Sequence, residues 1–300
     1  MKYLKASIII AAFNNAAVLR RVLKGMLALD YPNDFEIIVV DDGSRDNTRK
    51  MMQTEFGKQE KIRFFSFETN QGVCKARNKG IEMARFPIVV NMDHDCVPEK
   101  KWLKKIVSGF SDGVGIVSSF GYYGGTSTAF RKELLERVGG YDEEYRYFRE
   151  DSDLSFKIMD LGYEFKVVEA AYEHDHKIVK PKGLIELGKH FHKRLCYHMN
   201  DVLLFKKHPK LAGEFLDVKM GFLVNPIADF GIVAGTWKNP FDSKATAFKH
   251  LELSSPRGIS FLHNRTLLHA IAIILVGILF VFAIKSYRLA GSIKHGKLMI

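Results

Sequence analysis

Short, unbroken apolar runs alternate along this chain with stretches in which apolar residues return every three or four positions. The runs are Ser7 to Ala12, Phe35 to Val40, Ile62 to Phe67, Ile88 to Val90 and Val114 to Ser119. Runs of this kind predict strands buried on both faces of a parallel sheet. Between them, Leu19, Val22, Leu23, Met26 and Leu27 mark one face of a helix, with Arg20, Arg21 and Lys24 on the other. Asn15 is placed to cap that helix, and Asp46 or Asn47 to cap one running to about Phe56. Further helices are predicted over Gly72–Ala84, Lys101–Phe110 and Lys132–Val138, the last stopped by Gly139 and Gly140. Asp151 or Ser152 opens one more helix, which ends at Gly162. Gly121, Gly124 and Gly125 predict a flexible connection leading to Thr126–Arg131. Alternating strand and helix specifies an α/β fold, a mostly parallel central sheet flanked by helices.

Chemistry collects where these predicted strands end. Asp93 and Asp95 follow the Ile88–Val90 strand, separated by one residue. Ligands gather outside the carboxyl ends of strands in open α/β sheets. Two carboxylates there can share a hard divalent cation, which neutralises a diphosphate. A solvated loop is the plain alternative. The cluster Glu150, Asp151 and Asp153 stands at a helix start, where acids are favoured by the dipole. Capping is one reading of it; a general base on a second lobe is the other. No Gly-x-Gly-x-x-Gly turn and no phosphate-binding Gly-x-x-x-x-Gly-Lys-Ser/Thr loop occurs, so a bound nucleotide would rely on carboxylates and a metal.

Charge changes the picture. A net charge of +11 over 300 residues implies an anionic partner: nucleic acid, anionic lipid or a nucleotide diphosphate. Nucleic acid fits poorly, because acids occupy the strand ends that phosphates would approach. Cys74, Cys96 and Cys196 are odd in number and lack metal-ligand spacing, which fits a reducing compartment. The Ile8–Ile10 run breaks at Asn14 and Asn15, too soon for a signal-peptide core.

The C-terminal third follows a different pattern. Leu184, Leu187, Phe191, Leu195, Met199 and Val202 form a helical stripe flanked by Lys189, Lys193 and Arg194. It reads as a basic amphipathic helix, packed on the catalytic lobe or lying on an anionic membrane. Thr266 to Ile284 contains no Asp, Glu, Lys or Arg and predicts a transmembrane helix. Residues 219–237 are a weaker second hydrophobic segment, interrupted by Pro226 and carrying Asp229. Basic residues lie on both sides of the longer span; the basic tail favours two spans over one. The expected organisation is residues 1–180 as a catalytic domain (1–120 binding the nucleotide, 121–180 the acceptor), 181–215 as an amphipathic region and 216–300 as membrane-associated.

In order along the chain stand Ser7-Ile8-Ile9-Ile10-Ala11-Ala12-Phe13-Asn14, Ile38-Val39-Val40-Asp41-Asp42-Gly43-Ser44, Asn70-Gln71-Gly72 with Ala76-Arg77-Asn78-Lys79-Gly80, Asp93-His94-Asp95, Gly139-Gly140-Tyr141-Asp142-Glu143 and Glu150-Asp151-Ser152-Asp153-Leu154. With these, residues 7 to about 176 resemble the family 2 glycosyltransferases. The resemblance implies the GT-A fold of nucleotide-diphospho-sugar transferases. It implies that Asp42, with Asp41 beside it, meets the nucleotide base or ribose, and that Ala11 touches the base. Lys75 and Arg77 approach the nucleotide. Asp93 and Asp95 hold the ribose and a Mn²⁺ or Mg²⁺ ion. Asp151 is the base of an inverting transfer, with Glu150 and Asp153 supporting it or facing the acceptor. A further metal ligand is expected at His174 in preference to His176. The expected donor is a nucleotide-diphosphate sugar, UDP being the commonest carrier in the family, with GDP and dTDP open. A lipid-linked or saccharide acceptor at the cytoplasmic face of a membrane is expected. A polyprenyl-phosphate sugar synthase and a non-catalytic nucleotide-sugar binder are the alternatives.

Overall fold

The computed structural model describes residues 3–121, 123–175, 182–234 and 267–300, with side chains described outside 231–234 and 267–273. Two compact units emerge, Met1–Ile178 and Val179–Ile300.

In the first unit, β1 (Ala6–Ala12), α1 (Ala16–Leu27), β2 (Phe35–Asp41), α2 (Thr48–Met51), β3 (Ile62–Ser66), α3 (Val73–Met83) and β4 (Ile88–Asn91) follow the alternating pattern. Then come β5 (Cys96–Pro98), α4 (Trp102–Val107), β6 (Val114–Ser118), β7 (Thr128–Arg131), α5 (Lys132–Val138), α6 (Glu150–Asp160), β8 (Glu164–Val167) and β9 (Tyr172–His174). The main sheet runs β3-β2-β1-β4-β7-β6-β8, and β5 pairs with β9 in a separate ribbon. Strands β3, β2, β1 and β4 are parallel to one another. Ile8 and Ile10 join the core under α1 and α4, together with Leu19, Leu23, Met26 and Trp102. Ile9 faces the other way, onto α3 at Gly80. A Cβ on Gly80 would lie 2.4 Å from Ile9, so glycine is what lets this helix approach the sheet.

The connection after Gly121 leads into a central strand, Thr128–Arg131, antiparallel to both β4 and β6. Four residues are too few to show a period, and the strand exists because two neighbouring strands each need a hydrogen-bonding partner. The helix expected to run to Phe56 is only one α-turn, continued by a π-helical turn, Met52–Phe56. Asn15 makes no side-chain cap on α1. Asp46 supplies one from across the sheet edge, its Oδ2 accepting from the Ala16 N–H at 3.0 Å.

In the second unit, α7 (Leu184–Cys196), α8 (Met199–Lys207), α9 (Pro209–Phe215), β10 (Val218–Lys219), β11 (Leu223–Val224), α10 (Pro226–Ala234) and α11 (Leu267–His295) follow in order. The stripe expected as one basic helix is divided into α7 and α8. The second hydrophobic segment is not one helix: it begins as the β10–β11 hairpin, and Pro226 starts α10 instead of interrupting it. Proline suits a first helical turn, where its missing N–H costs nothing. Residues 235–237 of that segment lie outside the described residues. Helix α11 continues past Ile284 to His295, because Lys285 and Arg288 are held by acids of α8 and α10.

Candidate active site

Register fixes what meets at the sheet edge. Ala12 pairs with Asp41 and Ile9 with Asn91, so Ala11, Asp41, Asp42 and the residues after Asn91 emerge at the same end of the sheet. Strand β7 runs the opposite way, with Thr128 opposite Asn91, which delivers Thr126 to that end. The Asp93 backbone N–H donates to Thr126 Oγ1 at 2.9 Å.

Arg77, from α3, is the centre of the arrangement. Its guanidinium lies 3.3 Å from Asp93 Oδ1, 3.0 Å from Asp151 Oδ1 and 3.4 Å from Glu150 Oε1. It also stacks above the Tyr141 ring, 5.2 Å from the centroid. The tyrosine hydroxyl donates to Asp151 Oδ1 at 3.2 Å and accepts from the Asn91 amide. Asn78 holds the tyrosine backbone at both ends, accepting from Tyr141 N–H and donating to Tyr141 C=O, each at 2.8 Å.

Asp151 is therefore held from several sides. It occupies the first turn of α6, directly after two left-handed residues, Phe148 (φ 73°) and Arg149 (φ 79°). Left-handed backbone at non-glycine residues is costly and collects at functional sites. Gly124 lies against it: a Cβ there would come within 2.4 Å of Asp151 Cβ, and φ is +103°. Burial raises the Asp151 carboxyl above its ordinary range; Arg77 opposes that shift and Asp93 adds to it. Glu150 is pushed up to about 7, by burial first and by the neighbouring Asp151 second. Its Oε2 has no hydrogen-bond partner among the described residues. Three carboxyls thus surround one guanidinium, an arrangement with negative charge to spare.

Asp95 faces another way. Its Oδ2 lies 3.2 Å from His174 Nε2, because β5 and β9 pair Cys96 with His174. The hydrogen bond to Asp95 raises the affinity of His174 for a proton, while burial opposes it. Asp95, Cys96 and His174 place one ligand atom each within 4.8 Å of one another. Burial drives the Cys96 thiol far up, so the donors on offer are a carboxylate oxygen and an imidazole nitrogen. That set fits the Mn²⁺ or Mg²⁺ the resemblance implies. Asp93 instead turns one oxygen to Arg77. His176 lies outside the described residues.

The remaining candidates divide. Asp42 accepts from the backbone N–H groups of Gln71 (2.7 Å) and Gly72 (3.0 Å), fixing the loop that enters α3. Burial is the main cause raising its carboxyl. Asp41 is fully buried and accepts from Ser44 N–H and the Ser66 hydroxyl. The Ala11 carbonyl lies 3.2 Å from His94 Nδ1. Lys75 is exposed, bonded to Gln71, and lines a polar cleft of ≈ 390 Å³ with Glu143 and Arg146. Asp153 is fully buried, 2.9 Å from Lys157, and is not among the carboxyls around Arg77. Asp153 is thus held by an ion pair within its own helix. Sequence reasoning missed Tyr141, Asn91, Thr126 and Gly124. The signal for Tyr141 was present in Gly139-Gly140-Tyr141-Asp142-Glu143, but nothing in the spacing showed that its hydroxyl reaches Asp151.

The chain is similar to known proteins. The chain is 32% identical over 137 residues to glycosyltransferase AglE of Haloferax volcanii, a match covering 44% of this chain and 45% of that one. It is 26% identical over 197 residues to a poly-β-1,6-N-acetyl-D-glucosamine synthase of Staphylococcus epidermidis, covering 53% and 47%. The chain spans about half the length of these curated relatives. The mannosyltransferase PcManGT of Pyrobaculum calidifontis, solved with GDP-Man and Mn²⁺, shares the fold with a TM-score of 0.59 at 19% identity, over 95% of this chain and 86% of that one. The architecture is the GT-A arrangement. Residues 7–176, more than half of the chain, match the profile of "Glycosyl transferase family 2", and the chain belongs to that family.

Proposed function

We propose that the protein is a metal-dependent inverting glycosyltransferase. It moves a sugar from a nucleotide-diphosphate donor to a hydroxyl of a lipid-linked or polysaccharide acceptor at the cytoplasmic face of a membrane. The observation that carries the reading is the meeting of Asp151 with Asp93 around Arg77 at the carboxyl end of the sheet. In this reading Asp151 accepts the proton of the acceptor hydroxyl while that oxygen bonds to the anomeric carbon and the bond to the diphosphate breaks. Tyr141 and Gly124 hold the Asp151 carboxylate in position, and Arg77 neutralises it until an acceptor hydroxyl competes. A general base of this kind contributes about 10²–10⁴-fold. Asp95 and His174 would hold the Mn²⁺ or Mg²⁺, with Asp93 at the ribose beside it. When bound, the ion supplies charge neutralisation to the departing diphosphate. Asp42 supports the base-binding wall by ordering Gln71 and Gly72. Mn²⁺ in the related fold and synthases among the relatives support metal use and a growing glycan acceptor.

The test is calorimetric titration with UDP, GDP and dTDP, with Mn²⁺ and with EDTA, followed by transfer assays. Asp151→Asn is expected to keep donor binding and to lose transfer about 10²–10⁴-fold. Full transfer by that variant would overturn the role of Asp151. Nucleotide binding without turnover in the unmutated protein would favour a non-catalytic binder.

A further inference from the structure

We infer that the second unit meets a lipid bilayer along one apolar band and that the chain enters and leaves that bilayer on the same face. This rests on the membrane reading above and decides what the sequence left open, one span or a return. Among the described residues, one helix, α11, is long and apolar enough to cross a membrane. Its side chains at Ile274, Leu275, Leu279 and Phe282 are exposed, as are Leu184 and Ile185 at the start of α7. The contacts set α7 beside α11, with Phe191 meeting Phe280 and His192 meeting Tyr287, and the chain runs on in the same direction into α8, where Met199 meets Gly291. The start of α7 therefore stands level with the exposed apolar part of α11. Lys189 and Lys193 follow on α7, basic residues of the kind that favour an anionic lipid surface.

The same helix changes character at Lys285. From there on, two of its basic side chains, Lys285 and Arg288, are neutralised within the unit, while Lys294 is exposed. Lys285 lies 3.3 Å from Asp229, and Arg288 lies 2.6 Å from Asp229 and 3.1 Å from Asp201. An uncharged run that ends at Ile284, followed by Lys285 and Arg288 held by carboxylate partners, points to a bilayer boundary near Lys285.

The return follows from the backbone. Ile300 donates its N–H to the Phe222 carbonyl at 2.8 Å, and its own carbonyl accepts from Val224 N–H at 2.7 Å. The residues just before α10 are thus hydrogen-bonded to Ile300, a few residues beyond the end of α11 at His295. Helix α10 begins beside that junction, where Asp229 meets Arg288, and Phe230 packs on Gly277 deeper along α11. A chain that enters by α10 and comes back by α11 ends on the side where it began. A single crossing would put Val224 and Ile300 on opposite faces, about 30 Å of hydrocarbon apart, and would break these bonds.

The test is thiol accessibility in the full-length chain with Cys196 replaced by serine. Lys210→Cys and Lys294→Cys, both at exposed positions, are made singly. Membrane vesicles of defined orientation, right-side-out and inverted, are treated with a membrane-impermeant maleimide. The expected result is that both cysteines label in the same orientation and are protected in the other. Labelling in opposite orientations overturns the inference and leaves the glycosyltransferase reading intact, which donor binding in the same preparations verifies. Recovery of the unmutated protein as a soluble dimer or monomer after an alkaline wash overturns it as well, and shows that another copy or the fold itself covers the band.

Discussion

Two arginines, one in each unit, sit among carboxylates, and the balance of charge around them differs. Arg77 faces Asp93, Glu150 and Asp151, whose side chains are 39%, 6% and 20% exposed. Arg288 faces Asp201 and Asp229, all three fully buried, with Lys285 as a second cation. The first cluster has more negative charge than its cation neutralises and is open to solvent at Asp93 and Asp151. The second is near balance and sealed. A surplus of charge within reach of solvent is what a site needs to receive a cation or a proton; a balanced, buried set pins helices together. The thiols of the first unit follow the same division of labour: burial pushes Cys74 up to about 12 and Cys96 higher still, so neither is a ready nucleophile.

The comparison breaks most visibly at Arg288. Removing one partner of a buried ion pair leaves uncompensated charge and costs about 3–5 kcal/mol. Arg288→Ala is expected to show that loss in detergent-phase unfolding, and Arg77→Ala clearly less, because Asp93 and Asp151 retain access to water. Equal losses would mean that both clusters are structural. Next comes Gly124→Ala, which forces a Cβ onto Asp151 at a left-handed backbone position. A displacement of about 1 Å at a reacting group costs roughly 10²-fold. Transfer should fall by that order while nucleotide affinity holds; a matching fall in affinity would point to general disorder. Tyr141→Phe then removes one hydrogen bond to Asp151, worth about 1 kcal/mol, and should lower kcat several-fold without changing KM for the donor. An unchanged kcat would remove Tyr141 from the positioning set.

The smallest effect sharpens the charge argument. Glu150 is raised from 4.5 to about 7 in the folded protein. A raised carboxyl favours the folded state while it is protonated. That contribution is complete below about pH 4.5 and is lost as the pH climbs through about 7. Compared with Glu150→Gln, the unmutated protein should lose thermal stability between pH 5 and 7.5 and then level off. A difference that stays flat over this range would show that Glu150 is ionised throughout.

The alternation of runs and periods in residues 7–119 determined the sheet and its flanking helices, because strands buried on both faces must be continuously apolar. The spacing of Asp93, Asp95 and Asp151, taken with the family resemblance, singled out the carboxylates that gather around Arg77 and beside His174. Local sequence could not say which acids remain available. Asp41, Asp42 and Asp153 look as functional as Asp93 in one dimension. Only folding shows that their oxygens meet Ser44, Ser66, Gln71, Gly72 and Lys157. The same holds for β7, whose four residues carry no period, and for Gly124 and Tyr141, which act on Asp151 from distant segments of the chain. Hydrophobic periodicity is a property of neighbours in sequence. Hydrogen-bond satisfaction, close approach and charge balance belong to neighbours in space, and these decided the site.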